Sequence, residues 1–132
     1  MDGKVRTFSD LDVYQRLYKA MLIVTKEVIS KLPVEERFGL ADQMRRASKA
    51  PLAIIAEGYA RKSYPKEWQK YLKDAMGECN EMIVHLSCYR DLYCQNNETE
   101  NTNNLIKEYD IAGKQIYKLG QSWNNALSKG GF

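Results

Sequence analysis

The sequence predicts an all-α protein, an antiparallel up-and-down four-helix bundle, and three observations carry that expectation. Apolar or small residues recur at alternating steps of four and three through four separate segments, which is the period of one packed helical face. Leu32-Pro33, Tyr64-Pro65 and a polar run over 95–101 punctuate those segments. No stretch alternates at period two with β-branched residues, so no strand is expected. Four amphipathic helices joined by short turns bury one another most simply as a bundle. A length of 132 residues makes 1–132 a single domain with a core that needs no staples.

The first helix is expected over 10–32. Ser9-Asp10-Leu11-Asp12 can cap it, the Ser9 hydroxyl and the Asp12 carboxylate each taking an orphan amide. Its packed face reads Tyr14, Tyr18, Met21, Thr25, Val28 and Leu32. Pro33 ends it, because the residue before proline is pushed away from helical angles. The second helix begins between Glu35 and Leu40 and occupies about 36–60, with Met44, Ser48, Pro51, Ile55 and Gly58 on one stripe. Pro51 removes a backbone hydrogen bond, yet the period crosses it in phase, which predicts one helix kinked at Pro51.

The third helix is expected over 65–94, with Pro65 in its first turn. Trp68, Leu72, Ala75, Cys79, Met82, Leu86, Tyr89 and Tyr93 make its stripe, while Tyr71, Met76 and Ile83 widen it. That width fits either a broader core contact or an oligomer contact. The fourth helix, over 102–128, carries Leu105, Tyr109, Ala112, Ile116, Leu119, Trp123 and Leu127, and Gly130-Gly131 stops it.

At 44% apolar and 28% charged the composition is that of a globular protein. The longest apolar run, over 50–56, is far short of the ~20 residues a membrane helix requires. Residues 1–6 are polar with no apolar signal region behind them, so a cytoplasmic protein is expected. Cys79, Cys88 and Cys94 agree with that, being odd in number and confined to one helix.

The net charge of +3 is unevenly spread. Over 45–73 stand Arg45, Arg46, Lys49, Arg61, Lys62, Lys66, Lys70 and Lys73 against Glu57 and Glu67 alone, a local excess of six positive charges. Such polarity points towards an anionic partner. Lys62, Lys66, Lys70 and Lys73 line up along one side, Arg45 and Lys49 form a similar pair, and the turn around Arg61 and Lys62 should be strongly positive. A surface of this kind binds phosphates without regard to sequence and in a salt-sensitive way, RNA or DNA alike. Tyr59, Tyr64 and Tyr71 interleave with the charges and could stack on unpaired bases. The alternative is a merely solvated face.

Arg45 and Arg46 point about 100° apart on a helix, so they cannot share one environment. One of them is expected to pair with Glu57 or Glu36 and fix the second helix, and Glu57 is placed to pair with Arg61. Enzyme motifs are absent: there is no Gly-x-Ser-x-Gly, no phosphate-binding glycine loop and no His-Glu-x-x-His. The single His85 shares a face with Glu81 and Cys88, but no second histidine exists to complete a metal site, so neither metal nor cofactor is expected.

The chain resembles the four-helix-bundle proteins encoded in intervening sequences of bacterial 23S rRNA genes. The likeness lies in Phe8-Ser9-Asp10-Leu11-Asp12-Val13-Tyr14-Gln15, in Leu32-Pro33-Val34-Glu35-Glu36-Arg37-Phe38-Gly39-Leu40, in Gln43-Met44-Arg45-Arg46-Ala47 and in Ile55-Ala56-Glu57-Gly58-Tyr59. A related branch is the accessory variability determinant of diversity-generating retroelements, whose Gly-x-Trp ending Lys118-Leu119-Gly120-Gln121-Ser122-Trp123 is similar to. The resemblance implies a ring-shaped homopentamer without catalysis, which in the retroelement branch binds nucleic acid and a reverse transcriptase. The chain departs from the family's Ser-Ile-Pro-Ser-Asn-Ile-Ala-Glu-Gly: its proline comes one residue earlier and Ile54 replaces the asparagine. The reading is a non-enzymatic nucleic-acid-binding accessory protein acting as a homo-oligomeric ring, with a protein-interaction scaffold whose arginines serve the subunit or partner interface as the alternative.

Overall fold

The computed structural model describes residues 4–128, with side chains as far as Asn124. Four long helices account for most of it: α1 (Asp12–Ile23), α2 (Leu40–Tyr59), α3 (Pro65–Leu92) and α4 (Thr99–Ser128). Among the described residues there is no strand. The side chain of Leu127 and the glycine pair Gly130-Gly131 lie outside the described residues.

The first segment departs most from expectation. Rather than one helix over 10–32, it is a 3-10 turn (Phe8–Asp10), then α1, then a π-helical stretch (Val24–Val28), then a second 3-10 turn (Ile29–Lys31). Its cap also sits earlier than Ser9 and Asp12. The Asp10 carboxylate accepts the Arg6 and Thr7 amides at 2.8 and 3.0 Å, and α1 starts after Leu11 with no side-chain cap. Thr7-Phe8-Ser9-Asp10 offers the same spacing as Ser9-Asp10-Leu11-Asp12, and the earlier pair is the one used.

The buried face of this segment is Val13, Leu17, Ala20, Val24 and Val28, whereas Tyr14, Met21 and Thr25 are only half-buried and Tyr18 is exposed. The core thus takes the branched aliphatic side chains one position before the aromatic stripe. The π-helical stretch lets Val28 and Ile29 both reach the interior, because the extra residue in the turn shifts the helical phase. Leu32 is extended before Pro33, as its position dictates.

A 3-10 turn (Val34–Glu36) precedes α2, which begins at Leu40, the late end of the expected window. Gly39 stands at the cap without a side chain, and the Glu36 carboxylate substitutes by accepting the Leu40 amide at 3.1 Å. The helix runs uninterrupted through Pro51, and Met44, Ser48, Pro51, Ile55 and Gly58 are all buried. The buried Ser48 hydroxyl donates to the Arg45 carbonyl at 3.4 Å. In α3 the stripe from Trp68 to Tyr89 is buried and Tyr93 is half-buried beyond its end; α4 starts at Thr99, three residues before expectation. Tyr71, Met76 and Ile83 pack against the core of their own chain.

Each long helix packs against two others: α1 on α2 and α4, and α3 on α2 and α4. Contacts fix the axial register. Arg16 in α1 reaches Glu108 and Gln115 in α4, and Lys31 reaches Glu98 just before it. Early α3 meets late α4 through Gln69 and Gly120, and late α3 meets early α4 through Arg90 and Asn103. None of the helices among the described residues is long and apolar enough to cross a membrane.

Candidate nucleic-acid interface

The basic segment lies where α2 turns into α3, and that turn is tightly tied. Backbone bonds from Arg61, Lys62 and Tyr64 back to Gly58, Tyr59 and Arg61 close it. Pro65 then opens α3, its missing amide being one that the first turn leaves unpaired anyway. Trp68 is fully buried, with Tyr59 and Trp123 packed edge-on against it at centroid distances of 6.2 and 5.8 Å. The Trp123 indole donates to the Lys62 carbonyl at 3.2 Å, and the Gln69 amide donates to the Gly120 carbonyl at 2.9 Å and to Asn124 at 3.2 Å. Gly120 and Trp123 therefore latch the end of α4 onto the α2–α3 turn.

Two glycines permit this closeness. A Cβ on Gly58 would stand 2.5 Å from the Tyr71 Cβ and 3.0 Å from the Trp68 ring, and one on Gly120 would stand 2.9 Å from the Gln69 amide oxygen. Gly58 is thus a packing feature, marking where α2 and α3 nearly touch, while Glu57 beside it is exposed.

Three of the eight basic residues line one groove. Lys66, Lys70 and Lys73 come together along a shallow groove with Gln69, Asp74 and Asn124, and no hydrogen bond or ion pair engages the three ammonium groups among the described residues. Lys62 belongs to the turn and not to this stripe, its ammonium lying 4.2 Å from the centre of the Tyr59 ring. Tyr59 thus has the Lys62 ammonium over its ring and Trp68 at a steep angle beside it. Tyr64 is 62% exposed and Tyr71 is half-buried over Gly58. Arg61 is exposed and pairs with Glu67 at 3.3 Å, in place of the expected Glu57.

Arg46 is committed elsewhere. Its guanidinium donates to Glu78 at 2.8 and 3.2 Å and to Glu81, both on α3, rather than to Glu57 or Glu36. Glu36 instead accepts the Tyr93 hydroxyl along with its capping bond. The Arg46 guanidinium, with the His85 hydrogen bond adding to it, pulls the Glu81 carboxyl down to about 2. Arg45 and Lys49 are exposed, and Arg45 lies about 100° round the helix from the arginine that faces α3. His85 is buried with Nε2 3.3 Å from Glu81. Among the described residues no group of three His, Cys, Asp or Glu side chains could hold a metal ion.

Lys114 and Lys118 on α4 escaped the sequence reading. They border the continuation of the same α3–α4 seam, next to Met76, Asn80, Gly113 and Tyr117. Their spacing of four residues was a visible signal, but forty residues of chain separate them from Lys73 and hid the association.

An all-α chain of four long helices with a lysine groove at one helix seam is the class that fold and surface define. Residues 9–118 match the 23S rRNA-intervening sequence protein family. The chain belongs to that family. Neither the curated proteins nor the solved structures contain a match to it.

Proposed function

We propose that this chain is a non-enzymatic accessory protein that binds RNA or DNA through the lysine groove of α3, acting in the cytoplasm as a homopentameric ring. The observation that carries the reading is the convergence of Lys66, Lys70 and Lys73, none of them engaged by another described side chain, on one groove. Cations held together and left unneutralised attract a phosphate backbone and release its counterions on binding. Arg45 and Lys49 extend the field on a separate flank, Arg61 and Lys62 supply it at the turn, and Tyr64 beside them offers an exposed ring for base stacking. Arg46 acts indirectly, by holding α2 on α3. The helices are read as an antiparallel up-and-down bundle with α2 bent at Pro51, and a ring would repeat the groove so that weak contacts add. The retroelement branch, with a reverse transcriptase as partner, is part of this reading, and a reverse-transcriptase gene beside this one would support it.

Filter binding of a structured RNA at two salt concentrations tests the reading. Binding at low salt that weakens as salt rises is expected, together with its loss on changing Lys66, Lys70 and Lys73 to Glu. No binding at low salt, or binding indifferent to those changes, refutes it.

A different surface favours the scaffold reading. Val84, Cys88 and Leu92 are exposed at steps of four along the outer face of α3, and Phe38 is 85% exposed. A second copy of the chain is the occupant that such a face fits within a ring. Light scattering on Val84→Lys and Leu92→Lys variants tests it, a loss of oligomer mass being the expected result and an unchanged mass the refutation.

A further inference from the structure

The seam between α3 and α4 has an unusual division of chemistry. Lys66, Lys70 and Lys73 border its lower part, and Lys118 and Lys114 carry on from the level of Lys73 upwards, so cations follow it for about 16 Å at 1.5 Å of rise per residue. The upper part is lined between its lysines by Met76, Asn80, Tyr109, Gly113 and Tyr117, with Asp110 as its one acidic group. Tyr117 is 55% exposed, and its hydroxyl is held by the Gln121 amide at 2.9 Å, which restrains the ring. Gly113 lies one turn before Tyr117 on α4, and a Cβ built there meets nothing within 4 Å. A glycine inside a helix costs stability relative to alanine, and here no neighbour within the chain requires it. What it provides is open space beside an exposed aromatic ring. Tyr109 beneath is fully buried, and its hydroxyl has no hydrogen-bond partner among the described residues.

We infer that this seam takes an unpaired strand of nucleic acid, with the lysines on its phosphates and a base lying against Tyr117 in the space left by Gly113. This rests on the reading that the protein binds nucleic acid, and it adds which form is bound and which side chains distinguish it. A duplex offers phosphates and groove edges but no free base face, since its bases are stacked inside, so an exposed tyrosine ring has nothing to stack on. A single strand presents a charged backbone and an apolar base face together, which is the combination that a lysine-bordered, tyrosine-floored groove matches. Lys114 spends part of its charge on Asp110 at 3.0 Å, but both groups are largely exposed and leave that pair free to rearrange.

Fluorescence anisotropy with labelled oligothymidine, oligouridine and a duplex of mixed sequence, each at low and moderate salt, tests the inference. Both single strands should bind at least roughly tenfold more tightly than the duplex. Tyr117→Ala should weaken single-strand binding roughly ten- to hundredfold, the range of one lost base stack, and leave duplex binding unchanged. Tyr117→Phe should restore it, and Gly113→Leu, which fills the space, should reproduce the loss with an unchanged helical circular-dichroism spectrum. Equal binding of strand and duplex, both lost with Lys66, Lys70 and Lys73 changed to Glu, overturns the inference and leaves the nucleic-acid reading standing. No binding of any probe at low salt overturns both.

Discussion

Gly58→Ala adds one methyl group where α2 and α3 are nearest. That carbon would stand 2.5 Å from the Cβ and 2.9 Å from the Cγ of Tyr71, and 3.0 Å from the Trp68 ring. Ordinary carbon contacts lie at about 3.5–4.0 Å, so roughly 1 Å of separation has to be found. A long side chain could swing aside, but the Tyr71 Cβ is fixed to its own backbone, and Trp68 is clamped between Tyr59 and Trp123. The helices themselves must part. Overpacking of this kind costs about 1–3 kcal/mol, against which alanine recovers about 1 kcal/mol of helix propensity. The net is a loss of up to about 2 kcal/mol, or up to roughly 7 °C in Tm for a domain of this size.

Gly77 supplies an internal control, because it lies mid-helix in α3 and a Cβ there meets nothing within 4 Å. Gly77→Ala should therefore stabilise by up to about 1 kcal/mol. Urea unfolding followed by circular dichroism on both variants separates the cases through opposite shifts of midpoint at constant slope. If Gly58→Ala raises the midpoint as Gly77→Ala does, close approach at Gly58 is not what the glycine serves.

Further outcomes follow from the charges and thiols. Glu81 is held down from 4.5 to about 2, chiefly by Arg46. A carboxyl depressed in the folded state stabilises fully above its unfolded value and loses that contribution as pH falls, so stability should decline from about pH 4.5 towards 2. Arg46→Met should cost about 1 kcal/mol or less at neutral pH, because the arginine side chain is 54% exposed and solvent screens the pair. It should also flatten that acid limb in urea titrations, and a limb unchanged in the variant would contradict the assignment. Cys88 is exposed, whereas burial pushes the Cys79 thiol up to about 12. Iodoacetamide at mildly alkaline pH should therefore reach Cys79 only in denaturant, as read by peptide mass spectrometry, whereas native labelling of Cys88 depends on whether a second copy covers its face.

The helices were legible because their signals are local. A stripe such as Trp68–Leu72–Ala75–Cys79–Met82–Leu86–Tyr89 repeats within one segment, and its burial follows from its own period. The first segment shows where such a signal divides. Tyr14–Tyr18–Met21 and Val13–Leu17–Ala20 have the same spacing one residue apart, and a period alone does not choose between faces. The interior chose the smaller branched side chains, leaving the tyrosines at its rim, where Phe8 packs on Tyr14 with ring centres 5.1 Å apart.

The sequence by itself determined an all-α chain, the approximate extents of α2, α3 and α4, the family, and the concentration of positive charge over 45–73. Only the tertiary structure decided how that charge is divided. It turned Arg46 onto Glu78 and Glu81, laid Lys62 on Tyr59, gathered Lys66, Lys70 and Lys73 in one groove, and brought Lys114, Lys118 and Tyr117 to the same seam. The physical reason is that helical period fixes the direction of a side chain relative to its own helix, whereas partners depend on the rotation and axial offset between helices. Those offsets are set by contacts such as Gly58 on Tyr71 and Gln69 on Gly120, each joining residues of different helices.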